Sequence, residues 1–325
     1  MAIKTNTIEG ADAQRVENLF VSQLRDWKLA GDNYRDLEKV MTRTLLLEAG
    51  RHIRIQYNPA RMISSAASVD KKSVSERPCF LCSSNLPVEQ KGLDFNGRYK
   101  ILVNPFPIFP RHLTIPLNEH VDQLIAGRFS DMLELAEVLE GFTVFYNGPR
   151  CGASAPDHFH FQAGNKGFMP VEQETGLHQL KVIDEVRGCR IMSMERTCRN
   201  SVVLSGMNIE VLTAVFNEIY NILHSLMPER EEEPMINILA YKEGDGFIVC
   251  IFPRKAHRPA QFFEKDEGRI LISPASVDFG GVMITPRFED YEKLDTAIVK
   301  DIFRQVTMGI QEWDRLISIL EKTDF

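Results

Sequence analysis

The spacing of apolar residues near the start of the chain predicts an amphipathic helix. Between Asp12 and Trp27, apolar side chains recur every three or four residues, at Val16, Leu19, Phe20, Leu24 and Trp27. A period near 3.6 residues places them on one helix face, which we expect to pack on the elements that follow. The Ser-rich segment 64–78, SSAASVDKKSVSERP, breaks this periodicity and is predicted to be a loop.

Short apolar runs and turn residues predict a sheet-forming unit from Tyr99 onwards. In order, its segments are strand YKILVN, turn PFPIFP, strand HLTIP, a helix beginning near NEHVDQL, helix FSDMLELAEVLEGF, strand TVFYNG, loop GPRCGASAPD and strand HFHFQAG. This mixture of strands and helices is typical of an α+β fold with a mostly antiparallel sheet.

The second half of the chain repeats parts of this pattern. It contains a periodic helix at 207–227, an acidic loop at 229–233, a hairpin of MINILAY and FIVCIF, and a final helix at 295–321. In our alignment TVFYNG…HFHFQAG corresponds to NILAYKEGDGFIVCIFP, and HLTIPLNEHVDQL corresponds to VMITPRFEDYEKL. An apolar strand then replaces the histidine strand, and Asp290 replaces His120. We interpret this as a duplication in which one copy kept the polar chemistry.

Composition and charge narrow the class of partner. With 44% apolar and 26% charged residues, the 325-residue chain is typical of globular proteins and long enough for two packed halves. A net charge of -7 argues against nucleic acid as a partner but allows a small anion in a local positive pocket. The N-terminal sequence does not resemble a secretory signal, and no run of about 18 apolar residues occurs, so we expect a cytoplasmic protein that does not span a membrane.

Cys79 and Cys82, in the segment RPCFLCSSNLP, have the spacing of a metal-binding turn. In a reducing compartment the six cysteines are expected to be thiols or metal ligands. Two thiolates three residues apart can bind one Zn²⁺, and tetrahedral closure then needs two further ligands. The candidates nearby are His112, His120, His158 and His160. A buried thiol pair or a redox couple is the competing interpretation.

The strand HFHFQAG carries the most unusual pattern in the chain. Alternation along a strand puts His158, His160 and Gln162 on one face, with Phe159 and Phe161 on the other. Neutral imidazole is a competent nucleophile near pH 7, provided that one ring nitrogen is free and the other is held by an acceptor. The alternative is a core histidine whose polar atoms bond the backbone.

Gln162 and the loop before the histidine strand indicate the reaction class. The Gln162 amide can donate to a phosphate oxygen but cannot exchange protons, which favours transfer between phosphates over hydrolysis. In the loop YNGPRCGASAPD, glycines allow backbone N–H groups to approach an anion, and Asn147 and Ser154 add neutral donors.

These segments together resemble the histidine-triad-like (HIT-like) superfamily. The similarity rests on CFLC, IPLNEHVDQL, YNG…GAS and HFHFQ, within residues 77–165, and points to the branch of galactose-1-phosphate uridylyltransferase, diadenosine tetraphosphate phosphorylase and plant GDP-L-galactose phosphorylases. It implies an α+β fold of two HIT-like halves with mostly antiparallel sheets and flanking helices, the second half degenerate. We predict an N-terminal helical and Ser-rich segment at 1–76, a catalytic half at 77–200 and a non-catalytic half at 201–325.

The resemblance also implies roles for the polar residues of the first half. His160 would be the nucleophile and form a nucleotidyl-histidine intermediate, and Gln162 would contact the transferred phosphate. Asn104 falls where the family contacts the nucleotide ribose, and Asn147 and Ser154 where it binds phosphate. The chain has one residue more than the family pattern between Ser154 and the first histidine, which weakens that assignment.

A metal site is implied in the same way. The resemblance makes His158 a ligand of a structural Zn²⁺ together with Cys79, Cys82 and His120, while His112 competes for the fourth position. In the second half, Arg254 and Lys255 lie in the basic segment FPRKAHRP, which either binds phosphate or is a solvated loop.

The expected activity is that of a nucleotidyltransferase of the phosphorylase type. It would transfer a nucleoside monophosphate from a nucleotide-sugar or dinucleoside polyphosphate to phosphate or a sugar phosphate. The alternatives are a hydrolase that uses the same histidine and a zinc-stabilised nucleotide-binding protein without turnover. The sequence allows a homodimer but does not predict the oligomeric state.

Overall fold

Two β-sheets organise the chain in the computed structural model, which describes residues 13–62, 76–175, 180–195, 197–227, 229 and 232–325. The predicted Ser-rich loop lies mostly outside these residues. The strands are β1 Met41–Leu46, β2 His52–Tyr57, β3 Gly92–Phe95, β4 Tyr99–Val103, β5 His112–Pro116, β6 Phe142–Asn147, β7 His160–Asn165, β8 Lys181–Val186, β9 Cys189–Met194, β10 Ser201–Gly206, β11 Ile236–Glu243, β12 Gly246–Pro253 and β13 Val282–Thr285.

Helices flank the sheets and confirm the predicted α+β class. They are α1 Ala13–Asp26, α2 Lys28–Asp36, α3 Phe129–Val138, α4 Val171–Glu174, α5 Ile209–Leu226, α6 Ala260–Phe263, α7 Ser276–Phe279, α8 Phe288–Lys293, α9 Thr296–Val306 and α10 Ile310–Leu320. Among the described residues, no helix combines the length and apolarity needed to cross a bilayer.

Helix α5 shows how the apolar pattern becomes structure. The Asn208 side chain accepts a hydrogen bond from the Val211 N–H at 3.0 Å and so caps the first turn. One face then buries Leu212, Phe216 and Ile219, and the Phe216 ring stacks on Phe129 of α3 at 3.8 Å between centroids. Helix α1 buries Val16, Leu19 and Phe20, as its spacing predicted.

Two helix predictions were wrong because tertiary hydrogen bonds interrupt them. The segment 118–125 is not helical, since Val121 accepts from the Phe159 N–H and Pro156 accepts from the Gln123 N–H. The single helix predicted at 295–321 is divided into α9 and α10. At the break, the Met308 N–H donates to the carbonyl of Pro253.

The ten-stranded sheet consists of two five-stranded halves. Its strand order is β3-β4-β5-β7-β6-β11-β12-β10-β9-β8, and every neighbouring pair is antiparallel. The two halves meet at β6 and β11, where Phe145 faces Leu239. These two residues also coincide in the sequence alignment of the halves, as expected at a pseudo-twofold axis. The arrangement confirms the predicted duplication.

The register identifies equivalent positions in the two halves. Gln162 pairs with Phe145, and Cys250 pairs with Leu239, so Cys250 is the equivalent of Gln162. Two residues earlier along each strand, Ile248 is the equivalent of His160. By the same step along the neighbouring strands, Ser201 is the equivalent of His112, because His112 pairs with Gly164 of β7 and Ser201 would face Phe252 of β12 in the register of that strand pair.

The alignment of HLTIP with VMITP was therefore wrong. The strand equivalent to β5 is β10, whereas β13 belongs to the three-stranded sheet, in which it runs parallel to β2. Asp290 is accordingly not the counterpart of His120. Both β13 and β5 read as apolar strands followed by proline, and only the pairing partners distinguish them.

The three-stranded sheet covers part of one face of the large sheet. Ile53 and Ile55 of β2 share a buried apolar cluster with Leu239, Cys250 and Phe252. The opposite face of the large sheet is covered by helices, including α1, α3, α5 and α10. Strands β11 and β12 of the second half are thus covered on both faces by apolar side chains, which explains their largely apolar sequences.

Candidate active site

Four predicted metal ligands meet at the start of the histidine strand. The ligand atoms of Cys79, Cys82, His120 and His158 all lie within 4.8 Å of one another. Cys79 Sγ is 3.2 Å from His158 Nδ1, and Cys82 Sγ is 3.2 Å from His120 Nδ1. The tight turn that brings the two thiols together is closed by a hydrogen bond from the Cys82 N–H to the Cys79 carbonyl.

A backbone carbonyl orients His158, and a carboxylate lies near His120. His158 Nε2 lies 2.8 Å from the Leu117 carbonyl, to which it donates, so that Nδ1 faces the thiols with its lone pair. On the other histidine, Nε2 of His120 lies 3.9 Å from a carboxylate oxygen of Asp157. Two sulfurs and two correctly oriented imidazole nitrogens fit a closed tetrahedral site, so these four residues could hold a metal ion.

His112 lies outside the metal cluster and contacts Gln162. Its Nδ1 accepts from the Ile108 N–H at 3.2 Å, which leaves the proton on Nε2. Nε2 is 3.0 Å from Gln162 Oε1 and donates to it. Burial lowers the pKa of His112 to about 3, so the ring is neutral at pH 7. The alternative of His112 as a fourth metal ligand is not supported by these contacts.

A backbone carbonyl binds one nitrogen of the His160 ring, and the other nitrogen keeps its lone pair. His160 Nδ1 lies 2.8 Å from the carbonyl of His158 and donates to it, which places the lone pair on Nε2. The side chain is buried, and burial lowers the pKa of His160 to about 4. A neutral imidazole with a fixed tautomer and an available Nε2 has the properties of a nitrogen nucleophile.

Gln123 holds the strand end that carries His160, and sequence reasoning missed it. Its Oε1 accepts from the His160 N–H at 2.7 Å, and its Nε2 donates to the carbonyls of Asn147 and His160, each at 3.0 Å. The buried amide thus bridges β6 and β7 where their direct pairing ends at Phe145 and Gln162. The sequence did not reveal this role of Gln123, because the segment 118–125 is predicted to be a helix.

Asn147 stands across from the candidate nucleophile. Continuing the β6–β7 register by two residues from Phe145 and Gln162 puts Asn147 opposite His160, with both on the same sheet face. Asn147 Oδ1 accepts from Asn237 Nδ2 at 2.9 Å and from the Ser276 N–H at 2.8 Å. These two contacts leave the Nδ2 amide group as its donor side.

The glycine loop after Asn147 is packed against the second half of the chain. Gly152 has a φ of +99°, and a Cβ atom at this position would come within 2.5 Å of Ala275 Cβ. Only glycine fits both the backbone conformation and this close approach. Ser154 is half-buried in the same loop, and its carbonyl accepts from Arg77 at 3.1 Å.

The remaining predicted ligand-binding residues differ in exposure. Asn104 ties the turn after β4 to β5, because its Oδ1 accepts from the Phe106 N–H and its Nδ2 donates to Thr114 Oγ1. Lys255 is exposed. Arg254 is fully buried and donates all five guanidinium N–H groups to protein oxygens, which are those of Val306, Asn237, Pro274, Ala256 and His257. This geometry assigns Arg254 a structural role rather than direct phosphate contact.

Comparisons with known proteins show similarity in sequence over part of the chain. Residues 19–165 match a family described as a domain of unknown function, DUF4922, over less than half of the chain. The chain is 31% identical over 122 residues to diadenosine 5′,5‴-P1,P4-tetraphosphate phosphorylase 2 of Saccharomyces cerevisiae, which covers 33% of this chain and 37% of that protein. The matched segment thus spans little more than a third of the relative's length.

The fold also matches solved structures of a phosphorylase. The yeast Ap4A phosphorylase Apa2 in complex with Ap4A superposes with a TM-score of 0.58 at 16% identity, covering 86% of this chain and 96% of that one. The same enzyme in complex with AMP gives 0.56 at 17% identity, covering 89% and 97%. The shared fold and the local sequence similarity confirm the resemblance to the diadenosine tetraphosphate phosphorylase branch.

Proposed function

We propose that this protein is a nucleotidyltransferase of the phosphorylase type, with His160 as the nucleophile. The observation that carries the proposal is the fixed tautomer of His160, whose Nδ1–H is bound by the His158 carbonyl while Nε2 keeps its lone pair. Two side-chain amides, those of Gln162 and Asn147, share the sheet face of this ring. Such a group of neutral donors around a nucleophile suits a phosphate centre, where negative charge must be stabilised without proton transfer.

The reaction has two steps of similar chemistry. His160 Nε2 attacks the α-phosphorus of the donor, a P–N bond forms, and the P–O bond to the departing phosphate group breaks with its electron pair. In the resulting imidazolium the proton stays on Nδ1 and remains hydrogen-bonded to the His158 carbonyl. An oxygen of inorganic phosphate or of a sugar phosphate then attacks the same phosphorus, the P–N bond breaks, and neutral His160 is restored. No proton acceptor is consumed in either step.

His112 and Gln162 together account for transfer rather than hydrolysis. Because His112 donates to Gln162 Oε1, the Gln162 NH₂ group is turned away from His112 and serves as the donor to the transferred phosphate. A glutamine cannot take a proton from water, whereas phosphate needs no deprotonation to attack. The hydrolase alternative therefore lacks a general base at the position next to the nucleophile.

The donor we propose is a dinucleoside polyphosphate or a nucleotide-sugar, and the acceptor is phosphate or a sugar phosphate. Support comes from the sequence relative, which is a phosphorylase of diadenosine tetraphosphate, and from the shared fold of Apa2 solved with Ap4A and with AMP. Asn104, at the turn beside Thr114, remains our candidate for ribose contact, Ser154 for a phosphate oxygen, and exposed Lys255 for the distal phosphates.

We further propose that Zn²⁺ is bound by the Cys79, Cys82, His120 and His158 cluster. Zinc would supply structural cross-linking here, because four protein ligands leave no open position for a substrate. It would anchor His158, whose backbone carbonyl is the acceptor for His160 Nδ1–H, and so fix the nucleophile indirectly. Four thiols outside the metal cluster and two thiolate ligands suit a reducing compartment, and we propose a cytoplasmic location on that ground.

The decisive experiment is a search for the covalent intermediate. Purified protein is incubated with dinucleoside polyphosphates and with ADP-, GDP- and UDP-sugars, and intact mass is measured before and after addition of phosphate. We expect a nucleotidyl adduct that phosphate discharges. If no donor gives an adduct or phosphate-dependent turnover, the proposal is contradicted and the nucleotide-binding alternative is left. Water-dependent release at the same rate as phosphate-dependent release would favour the hydrolase.

A further inference from the structure

Two residues of the half without catalytic histidines reach into the candidate active site. Asn237, the second residue of β11, faces Asn147 across the junction between the two halves of the sheet. Its Nδ2 group donates to Asn147 Oδ1 at 2.9 Å and to the Cys151 carbonyl at 2.8 Å. Both Asn237 and Arg254 are fully buried, so water does not compete for these contacts.

Arg254 determines which way the Asn237 amide faces. Its Nη1 donates to Asn237 Oδ1, and a guanidinium can only donate. The oxygen of Asn237 must therefore lie on the Arg254 side, which turns its NH₂ group toward Asn147. Four carbonyl oxygens hold the rest of the guanidinium in place, among them that of Pro274, next to the loop residue Ala275 that contacts Gly152.

The same logic extends to Asn147. Because Asn237 Nδ2 and the Ser276 N–H are both donors, Asn147 must present its oxygen to them. Its own NH₂ group is then directed to the opposite side, toward the strand that carries His160. A flipped Asn147 would place an oxygen, which repels phosphate, where a donor is needed, and would also oppose two N–H groups at its other end.

We propose that Arg254 and Asn237 are positioning residues that fix the phosphate-facing direction of the Asn147 amide, so that the second half completes the active site of the first. The inference rests on the proposed function, since it assigns the Asn147 NH₂ group to the phosphate bonded to His160. It also explains why Arg254, at the start of FPRKAHRP, is retained as a buried charge with five acceptors.

The test is Asn237→Asp, which keeps the size of the side chain and the acceptor for Arg254 but replaces the donor to Asn147 with an acceptor. We expect Asn147 to flip and the rate of adduct formation in a single turnover to fall about 100- to 1,000-fold, as for loss of one preorganised donor. Arg254→Lys, which keeps the charge and loses the geometry, is expected to lower the rate less. Donor affinity should change less than the rate.

A matched control and a direct readout keep the inference falsifiable. Asn200→Asp alters a partly buried asparagine outside the relay, whose Oδ1 accepts from the Thr197 N–H, and should leave the rate unchanged. The Asn147 side-chain amide is followed by NMR with ¹⁵N-asparagine labelling and assigned by its loss in Asn147→Ala. An unchanged Asn147 signal in Asn237→Asp would overturn the relay, even if the wild-type protein formed no adduct. Missing adduct in the wild type would instead contradict the proposed function.

Discussion

The two halves of the ten-stranded sheet share one topology and differ at three polar positions. Where the first half has His160, Gln162 and His112, the second has Ile248, Cys250 and Ser201. In the first half His112 donates to Gln162 Oε1, and His160 Nδ1 donates to the His158 carbonyl. In the second half Cys250 lies in an apolar cluster beneath the three-stranded sheet, and the buried Ser201 hydroxyl has no hydrogen-bond partner among the described residues.

This difference shows that the fold alone does not make the site. The backbone places equivalent residues in the same register in both halves, yet one face carries the polar side chains of the candidate site and the other is covered by β2 and β13. The second half contributes in another way, through Asn237 and Arg254 at the junction. The duplicated fold therefore presents one face with polar side chains and one face with apolar side chains.

The largest expected effect comes from replacing the nucleophile. It is measured by placing asparagine at each of two equivalent strand positions. His160→Asn removes the nucleophile and should lower adduct formation by roughly four orders of magnitude or more, because no other group can form the P–N bond. Ile248→Asn changes a half-buried residue in the second half and should leave the rate within about twofold. Intact mass spectrometry after a single turnover measures both. Equal losses in the two variants would break the comparison.

Replacing a cysteine should lower zinc content and melting temperature at the metal cluster but not elsewhere in the chain. Cys82→Ser removes a ligand, and we expect zinc content to fall from one ion per chain to none and the melting temperature to drop by roughly 5–10 °C. Cys198→Ser, which changes a half-buried cysteine outside the metal cluster, should retain zinc and melt like the wild type. Metal analysis and thermal unfolding with and without chelator measure this. Wild-type protein purified without metal and insensitive to chelator would refute the zinc assignment.

A smaller effect is expected from the histidine that orients Gln162. In His112→Phe an aromatic ring is kept but Gln162 Oε1 loses its donor, so its amide can flip and adduct formation should fall about tenfold. The equivalent change, Ser201→Ala, removes a buried hydroxyl that has no hydrogen-bond partner in the part of the chain that the structure describes, and should not alter the rate. Zinc content should be unchanged in both. Loss of zinc in His112→Phe would instead indicate that His112 belongs to the metal site.

The smallest effect concerns Glu233, which sequence reasoning placed in a surface loop. That was wrong, because Glu233 is buried and accepts from Tyr146 Oη and the Ile125 N–H, each at 2.7 Å. Burial raises the pKa of Glu233 to about 8, with Tyr146 and the charge of Arg128 acting in the opposite direction. The folded state thus binds a proton that the unfolded state releases near pH 4.5, and this stabilisation is lost as pH rises toward 8.

Glu233→Gln should remove that dependence. Relative to the wild type, the variant should gain unfolding free energy between about pH 5 and 8, by no more than about 1.4 kcal/mol per pH unit. Urea denaturation at a series of pH values measures the difference. Glu232→Gln changes the exposed neighbour and should run parallel to the wild type. A constant difference at every pH would show that Glu233 does not titrate in this range.

Local sequence patterns determined the fold class and several residues of the candidate site. The helical faces of α1 and α5, the alternation of His158, His160 and Gln162, and the cysteine spacing are all properties of short segments, and they predicted the duplicated α+β fold. The fold comparison confirmed that class. Strands β1 to β3 and β8 to β10 were not predicted, because their apolar runs are short and interrupted by polar or charged residues.

The tertiary structure decided which polar groups face one another. His112 and Gln162 are 50 residues apart, and Asn147 and Asn237 are 90 apart. No periodicity encodes such contacts, because hydrogen bonds between side chains depend on strand register and on the direction of each donor and acceptor. The sequence therefore determined that a histidine strand exists and which residue types surround it. Only the folded sheet determined that His158 faces the thiols, that His160 keeps Nε2 available, and that the second half directs Asn147.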